Sequence, residues 1–184
     1  MAKNKRGVDR QVKQDEIVDI AGELFLTQGY EATSMAAIAR GAGVAPNTLY
    51  WYYRDKDDLL ISVLDRLLED GFTRYAALAD KPLNELVFWL LKELKQAGGL
   101  VATVHARLGE SVALRQWHDQ FHALMGQLVA GHLAAHGIDG ADSRTESAIL
   151  SFVIEGLLSH PTDQASQRRI IDRLLLGPVS YSAG

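Results

Sequence analysis

The chain has 184 residues, a formal net charge of −4 and no cysteine, a length that allows one or two small domains and is too short for an α/β barrel. The missing cysteine excludes disulfides, thiolate zinc sites and cysteine nucleophiles. Hydrophobic and charged shares of 47% and 23% exclude a disordered or collagen-like chain, and apolar residues at helical intervals weigh against a β-sandwich.

The chain opens on a basic arm: within residues 1–14, Lys3, Lys5, Arg6, Arg10 and Lys13 face one acid, Asp9. Residues 1–56 hold 8 basic and 7 acidic side chains, and residues 57–184 hold 11 and 16. The N-terminal end therefore suits a polyanion and the remainder does not. The arm has no apolar run of the kind a secretory signal needs, and no stretch of about 18 uninterrupted apolar residues follows. A cytoplasmic location and no membrane partner are expected. The arm itself is expected to be unstructured when free, serving either as a solubilising tail or as a ligand for a groove or phosphates.

From Val12 to Thr27 the residues Ile17, Ile20, Ala21, Leu24 and Phe25 recur at spacings of three and four, which predicts an amphipathic helix stopped by Gly29. A short helix capped by Thr33 or Ser34 runs to about Ala42, Gly43 breaks it, and Pro46 fits the first turn of a third helix over 45–52. After Arg54-Asp55-Lys56-Asp57 a long helix carries Leu59, Leu60, Val63, Leu64, Leu67 and Leu68 to about Leu78, where Asp80-Lys81-Pro82 ends it. Helices follow over 83–96, 100–109 and 111–136, punctuated by Gly98-Gly99 and Gly137. Ser143 and Glu146 have capping-box spacing ahead of a helix bearing Ile149 to Leu158, and a last helix covers about Ser166 to Leu176.

Two short helices joined by a glycine turn form the unit that sets its second helix in the DNA major groove. At about 100° per residue, Ala45, Leu49, Tyr52 and Tyr53 of the second short helix share an inward face. Asn47, Trp51 and Arg54 cluster on the outward face, with Tyr50, Thr48 and Pro46 beside them. Amide, hydroxyl, indole and guanidinium groups bond phosphates or base edges, and Asn reads adenine bidentately. Any surface helix turns polar groups outward, but the exposed Tyr-Trp pair needs a partner.

The segment Gln14 to Leu60 resembles the N-terminal domain of the tetracycline-repressor (TetR) family of bacterial transcription regulators. The matching pieces are Ala21-Gly22-Glu23-Leu24-Phe25, Thr33-Ser34-Met35, Ile38-Ala39, Ala42-Gly43-Val44, Thr48-Leu49-Tyr50 and Lys56-Asp57-Asp58-Leu59-Leu60. The resemblance implies an all-α, two-domain, non-enzymatic regulator: residues 1–56 as arm and DNA-binding domain, 57–184 as helical effector-binding and dimerisation domain. It further implies that Thr48 and Tyr50 contact DNA, that Lys56 bonds a phosphate and that the helix start at Ser34 offers N–H groups to another. Arg40, Pro46, Asn47 and Trp51 complete the expected DNA-binding set. Ala36 and Ala37 stand where polar residues are common in the family, and Ala45 where a capping Ser is frequent, so sequence preference falls mainly on Asn47, Trp51 and Pro46. The expected partners are a double-stranded palindromic operator, a second copy of the chain and a small apolar or aromatic effector; no cofactor is implied. Repression is the expected sense of regulation.

In the second domain Phe88, Trp89, Trp117, Phe121 and Met125 are the effector-pocket candidates, each individually also a plausible core residue. Glu93, Arg107 and Glu110 read as surface charges in preference to ligand-orienting groups. Phe152, Val153, Gly156, Leu157, Ile171 and Leu174 exceed the apolar stripe that one packing partner covers and are the candidates for a two-fold interface. His118, His122, His132 and His136 share one face of the 111–136 helix, and their i,i+4 pairs support the alternative, a helical-bundle metalloprotein or enzyme. A solvated or pocket-lining histidine face is the preferred reading, with no metal, because neither pair has the intervening Glu of a metalloprotease and no catalytic triad, phosphate loop or carboxylate pair accompanies them.

Overall fold

The computed structural model describes residues 2–78, 80–135 and 141–176, with residues 2–9 and 141–143 described for their backbone only. Among the described residues the secondary structure is nine α-helices: α1 (Ala2–Gln28), α2 (Met35–Gly41), α3 (Pro46–Tyr52), α4 (Lys56–Ala76), α5 (Leu83–Gln96), α6 (Gly98–Arg107), α7 (Val112–Ala135), α8 (Ala141–Ser159) and α9 (Gln164–Leu176). They divide into two compact units. One takes the described residues through Thr73 together with Gly99–His118, and the other takes Arg74–Gly98 and the described residues from Asp119 onward.

The first unit is built on the apolar face of α1. Ile17, Ala21 and Phe25 pack with Ile38 of α2, Leu49 of α3, Leu59, Leu60 and Val63 of α4, Leu100 and Val104 of α6 and Leu114 of α7. Each such side chain, fully withdrawn from water, contributes about 1.5–3 kcal/mol. Gly29 ends α1 at φ +86°, and the buried Thr33 hydroxyl donates to the Gly29 carbonyl at 2.8 Å. Ser34, rather than Thr33, caps α2, its Oγ accepting from the Ala37 N–H at 3.1 Å. Gly41 lies so close to α1 that a Cβ there would meet Ile20 Cγ2 at 2.8 Å.

Beside this core lies a charge network. Arg107, at the end of α6, donates from Nε and Nη2 to the two Asp57 carboxylate oxygens at 2.7 and 2.9 Å, and the Tyr30 hydroxyl donates to the same carboxylate at 2.5 Å. Burial by itself pushes the Asp57 carboxyl up; the hydrogen bonds from Arg107 and Tyr30 more than offset it, leaving the group below its ordinary value. Burial, then the Asp57 hydrogen bond, raises the Tyr30 phenol. Arg107 is therefore not a plain surface charge: it is bound to Asp57 within the first unit.

The second unit has its own core of Val87 and Leu91 from α5, Leu150 and Leu157 from α8 and Ile171 from α9. Polar groups inside it are satisfied: the buried Asn84 amide donates to Asp172 Oδ1 at 2.7 Å, and Gln167 Nε2 donates to the Thr162 carbonyl at 2.7 Å. Arg168 pairs with Glu85 and lies over the Phe88 ring.

Several expectations are corrected. The basic arm is not unstructured: its backbone is helical from Ala2, since Lys, Arg and Gln favour helix and no proline interrupts them. Gly98 and Gly99 open α6 instead of separating helices, only Ala97 intervening after α5. The helix α8 begins at Ala141, before Ser143, whose side chain lies outside the described residues; the proposed capping box is not at the helix start.

The ion pair predicts a pH response. A carboxyl held below its ordinary value stabilises the fold above that value and loses the contribution as pH falls through the folded-state value. Thermal stability is expected to drop on acidification below about pH 4, and Asp57→Asn to lower the midpoint and flatten this part of the profile in a calorimetric pH series. Arg107→Leu, which strands the carboxylate, should cost about 2–3 kcal/mol in urea unfolding.

Candidate nucleic-acid interface

The turn between α2 and α3 is made by backbone hydrogen bonds from Gly43 N–H to the Arg40 carbonyl at 3.2 Å and from Val44 N–H to the Ala39 carbonyl at 2.9 Å. Gly43 has φ +66°, a region that costs other residues roughly 1–2 kcal/mol. Val44 then packs against the core, and Pro46 starts α3 with Ala45 as an uncapped N-cap. The expected inward place of Ala45 is corrected here: it is exposed, because at the N-cap its backbone is extended (φ −68°, ψ 147°) and helical angles do not apply to it.

The rest of α3 divides as its spacing predicts. Leu49 is fully buried, with Tyr53 buried just beyond the helix, while Tyr50 and Trp51 are 54% and 76% exposed. Pro46, Asn47, Thr48 and Arg54 are exposed too, as are Ser34 and Arg40 on α2. The structure thus gathers an amide, hydroxyls, an indole and guanidinium groups on the solvent side of two helices whose other sides fill the core.

Lys56 differs from the rest. Its Nζ donates to the Tyr30 and Thr33 carbonyls at 2.8 and 3.1 Å and lies 4.0 Å from the Tyr30 ring centroid. Two of its three protons hold the loop that leads into α2, leaving one for an outside acceptor. Sequence reasoning also missed Arg10 as an individual residue: its guanidinium lies 5.4 Å from the Trp51 ring centroid and 5.8 Å from that of Tyr52. The arm's charge was legible, but which of its residues meets α3 depends on how α1 packs.

The effector candidates fall in both units. In the first unit Trp117 donates its indole N–H to Asp65 at 2.8 Å and packs against that unit's core. In the second, Phe88, Trp89, Phe121 and Met125 are half-buried; Phe88 packs on the core and Trp89 lies 6.2 Å from the Tyr75 ring. Of the interface candidates, Leu157 and Ile171 are buried in the second unit's own core, a correction that follows from α5 packing over them. Phe152 is 72% exposed; Val153 and Leu174 line an open groove of about 820 Å3 with Ser166, Arg169, Ile170 and Arg173. A Cβ on Gly156 would meet nothing within 4 Å.

The histidine face is also divided. His118 stands edge-on to His105 at 5.1 Å, and His122 Nε2 lies 3.4 Å from Glu155. Among the described residues no three His, Asp or Glu side chains gather closely enough for a metal ion; His136 lies outside them.

A short helix, a glycine turn and a second helix with one buried and one polar exposed face constitute a helix-turn-helix, a class of DNA-binding module. Residues 17–63 match the tetR family of bacterial regulatory proteins. Over 55 residues the chain is 38% identical to the transcriptional regulator AcrR of Shigella flexneri, an alignment covering 30% of this chain and 26% of that protein. The chain spans only 26–37% of the length of this and similar curated relatives. Its fold is shared with a tetR-family regulator of Mesorhizobium loti at a TM-score of 0.70 and 21% identity, covering 90% and 94% of the two chains. It is shared also with the regulator FadR of Bacillus subtilis, solved in complex with stearoyl-CoA, at a TM-score of 0.59 and 19% identity, covering 89% and 98%. The match to the tetR-family model thus falls on the segment that holds the helix-turn-helix, and the fold of the chain is shared with these solved regulators.

The uncapped start of α3 gives a direct test. Ala45→Ser supplies the missing acceptor for a first-turn N–H and should stabilise the protein by about 0.5–2 kcal/mol, read as a shift of the urea midpoint at unchanged slope.

Proposed function

We propose that the protein is a ligand-responsive transcription regulator that binds a palindromic operator as a homodimer and represses by occupying it. The observation that carries this is α3: Leu49 is fully buried while Tyr50 and Trp51 are mostly exposed, with Asn47, Thr48 and Pro46 exposed beside them. Ser34 and Arg40 supply flanking contacts from α2, and the third proton of Lys56 supplies one phosphate contact. Mobility-shift titration against the DNA flanking the protein's own coding region tests the reading; binding no tighter than to an unrelated duplex in that region and across a genomic library overturns it.

Individual substitutions have distinct signatures. Tyr50→Ala should weaken binding to every duplex by a similar factor and lower its salt dependence, as loss of a backbone contact does. Asn47→Ala should relax preference at one or two base pairs, worth about 1–3 kcal/mol for a good base contact, in a randomised-site selection. Lys56→Ala should weaken DNA binding and also lower the melting temperature, because the side chain holds the loop before α2.

The second copy docks over α8 and α9, onto the exposed Phe152 and the half-buried Val153, Gly156 and Leu174. Support comes from the 72% exposure of Phe152 and from the open space above Gly156, which gives another chain's helix room to approach closely. Phe152→Asp should yield a folded monomer by sedimentation. Gly156→Leu should do the same, since nothing within the chain obstructs the added side chain.

For the effector, an apolar or aromatic molecule fits Phe88, Trp89, Phe121 and Met125, and a fatty acyl thioester is a first probe because the similarly folded FadR was solved with stearoyl-CoA. Such a ligand changes operator affinity only by its differential affinity for the two conformers. Trp89→Ala should reduce ligand-induced release from DNA and leave ligand-free binding nearly intact; unaltered release in the mobility-shift assay counts against this site.

A further inference from the structure

The exposed surface around α3 includes a residue from outside the helix-turn-helix. Arg10 is itself exposed, yet its guanidinium lies within 6 Å of two consecutive rings, 5.4 Å from Trp51 and 5.8 Å from Tyr52. A guanidinium attracted to ring faces still has five N–H donors in a planar fork, more than two rings can occupy. The outcome is a fork of donors held beside the recognition helix, pre-oriented for a bidentate bond to a phosphate. A free arginine would have to lose that side-chain freedom on binding; this one has already lost part of it.

Arg10 does not stand alone on its helix. With the α1 backbone continuous from Ala2, positions 3, 6, 10 and 13 fall within about 80° of one another, and these positions are Lys3, Arg6, Arg10 and Lys13. The helical backbone between positions 10 and 3 spans about 10 Å. The arrangement contrasts with the chain as a whole, which carries a formal charge of −4. A basic segment that leads into an arginine held against an exposed indole of α3 has the chemistry to follow a phosphate backbone.

We propose that Arg10, held by Trp51 and Tyr52, makes a second contact to the DNA backbone alongside the bases that α3 reads, and that the basic residues ahead of it in the sequence, Arg6 and Lys3, add to it. This deepens the DNA-binding reading and rests on it. Trp51 is then the positioning residue for Arg10 as well as an exposed part of α3.

The test is a salt series, about 50–200 mM, on the full chain with a labelled mixed-sequence duplex. Arg10→Gln is expected to lower the slope of log affinity against log salt by about 1, and the triple change of Lys3, Arg6 and Arg10 to Gln by about 2–3. Trp51→Leu should reproduce much of the Arg10→Gln loss, Trp51→Phe should retain more binding, and adding Arg10→Gln to Trp51→Leu should cost little further. Melting curves confirm that each variant is folded, which the exposure of Arg10 favours. A folded triple variant with the wild-type slope overturns this inference and leaves the reading of α3 standing. A wild-type chain that shows no salt-dependent duplex binding overturns both.

Discussion

The Asp57 carboxylate accepts hydrogen bonds from Arg107, at the end of α6, and from Tyr30, in the loop after α1; its neighbour Lys56 reaches back to the Tyr30 and Thr33 carbonyls. The arrangement of the helix-turn-helix depends on this meeting point. The loop 29–34 sets the angle at which the chain leaves α1 and enters α2, and apolar packing alone would tolerate small slides of that loop. Directional bonds to a charged group do not, because each misaligned donor leaves part of a desolvated charge unpaired. The ring of Tyr30 adds to this, lying under both Lys56 and Arg107.

Once the loop is fixed, the placement of α3 follows from short-range constraints. Positive φ at Gly43 closes the turn, Pro46 starts the helix, and Leu49 anchors it in the core. A helix of seven residues has too few hydrogen bonds to persist alone; it is a helix because Leu49 is buried by its neighbours and the half-buried Tyr52 packs against the same core. The exposed side chains Pro46, Asn47, Thr48 and Tyr50 are thereby left outside the core, which is the condition under which a surface can be given over to recognition. Trp51 illustrates the consequence, since an indole 76% exposed contributes little to the stability of its own fold.

In the second unit apolar residues serve two ends at once. On α8, Leu150 and Leu157 turn into the core while Phe152 remains exposed. On α9, Ile171 is fully buried and Ile170 is 41% exposed. A helix that is apolar on more than one side has more surface to bury than its own unit can cover. The small side of α8 at Gly156 removes the steric obstacle to covering it from outside.

Local signals in the sequence determined the helices, the two glycine stops, the proline start of α3 and its division into buried and exposed faces, because each of these rests on residues within one or two turns of each other. The family-like run from Gln14 to Leu60 was legible for the same reason. What local pattern could not supply was any pairing across long separations: Asp57 with Arg107, Lys56 with the carbonyls before α2, Arg10 with Trp51, and the split of the α8 and α9 apolar residues between core and surface. A charged residue reads alike in sequence whether it ends in water or in a bidentate ion pair, and an apolar residue reads alike on either side of a two-faced helix. Only the packing of one helix against another decides which, since burial and hydrogen-bond partners are properties of the neighbours and not of the residue itself.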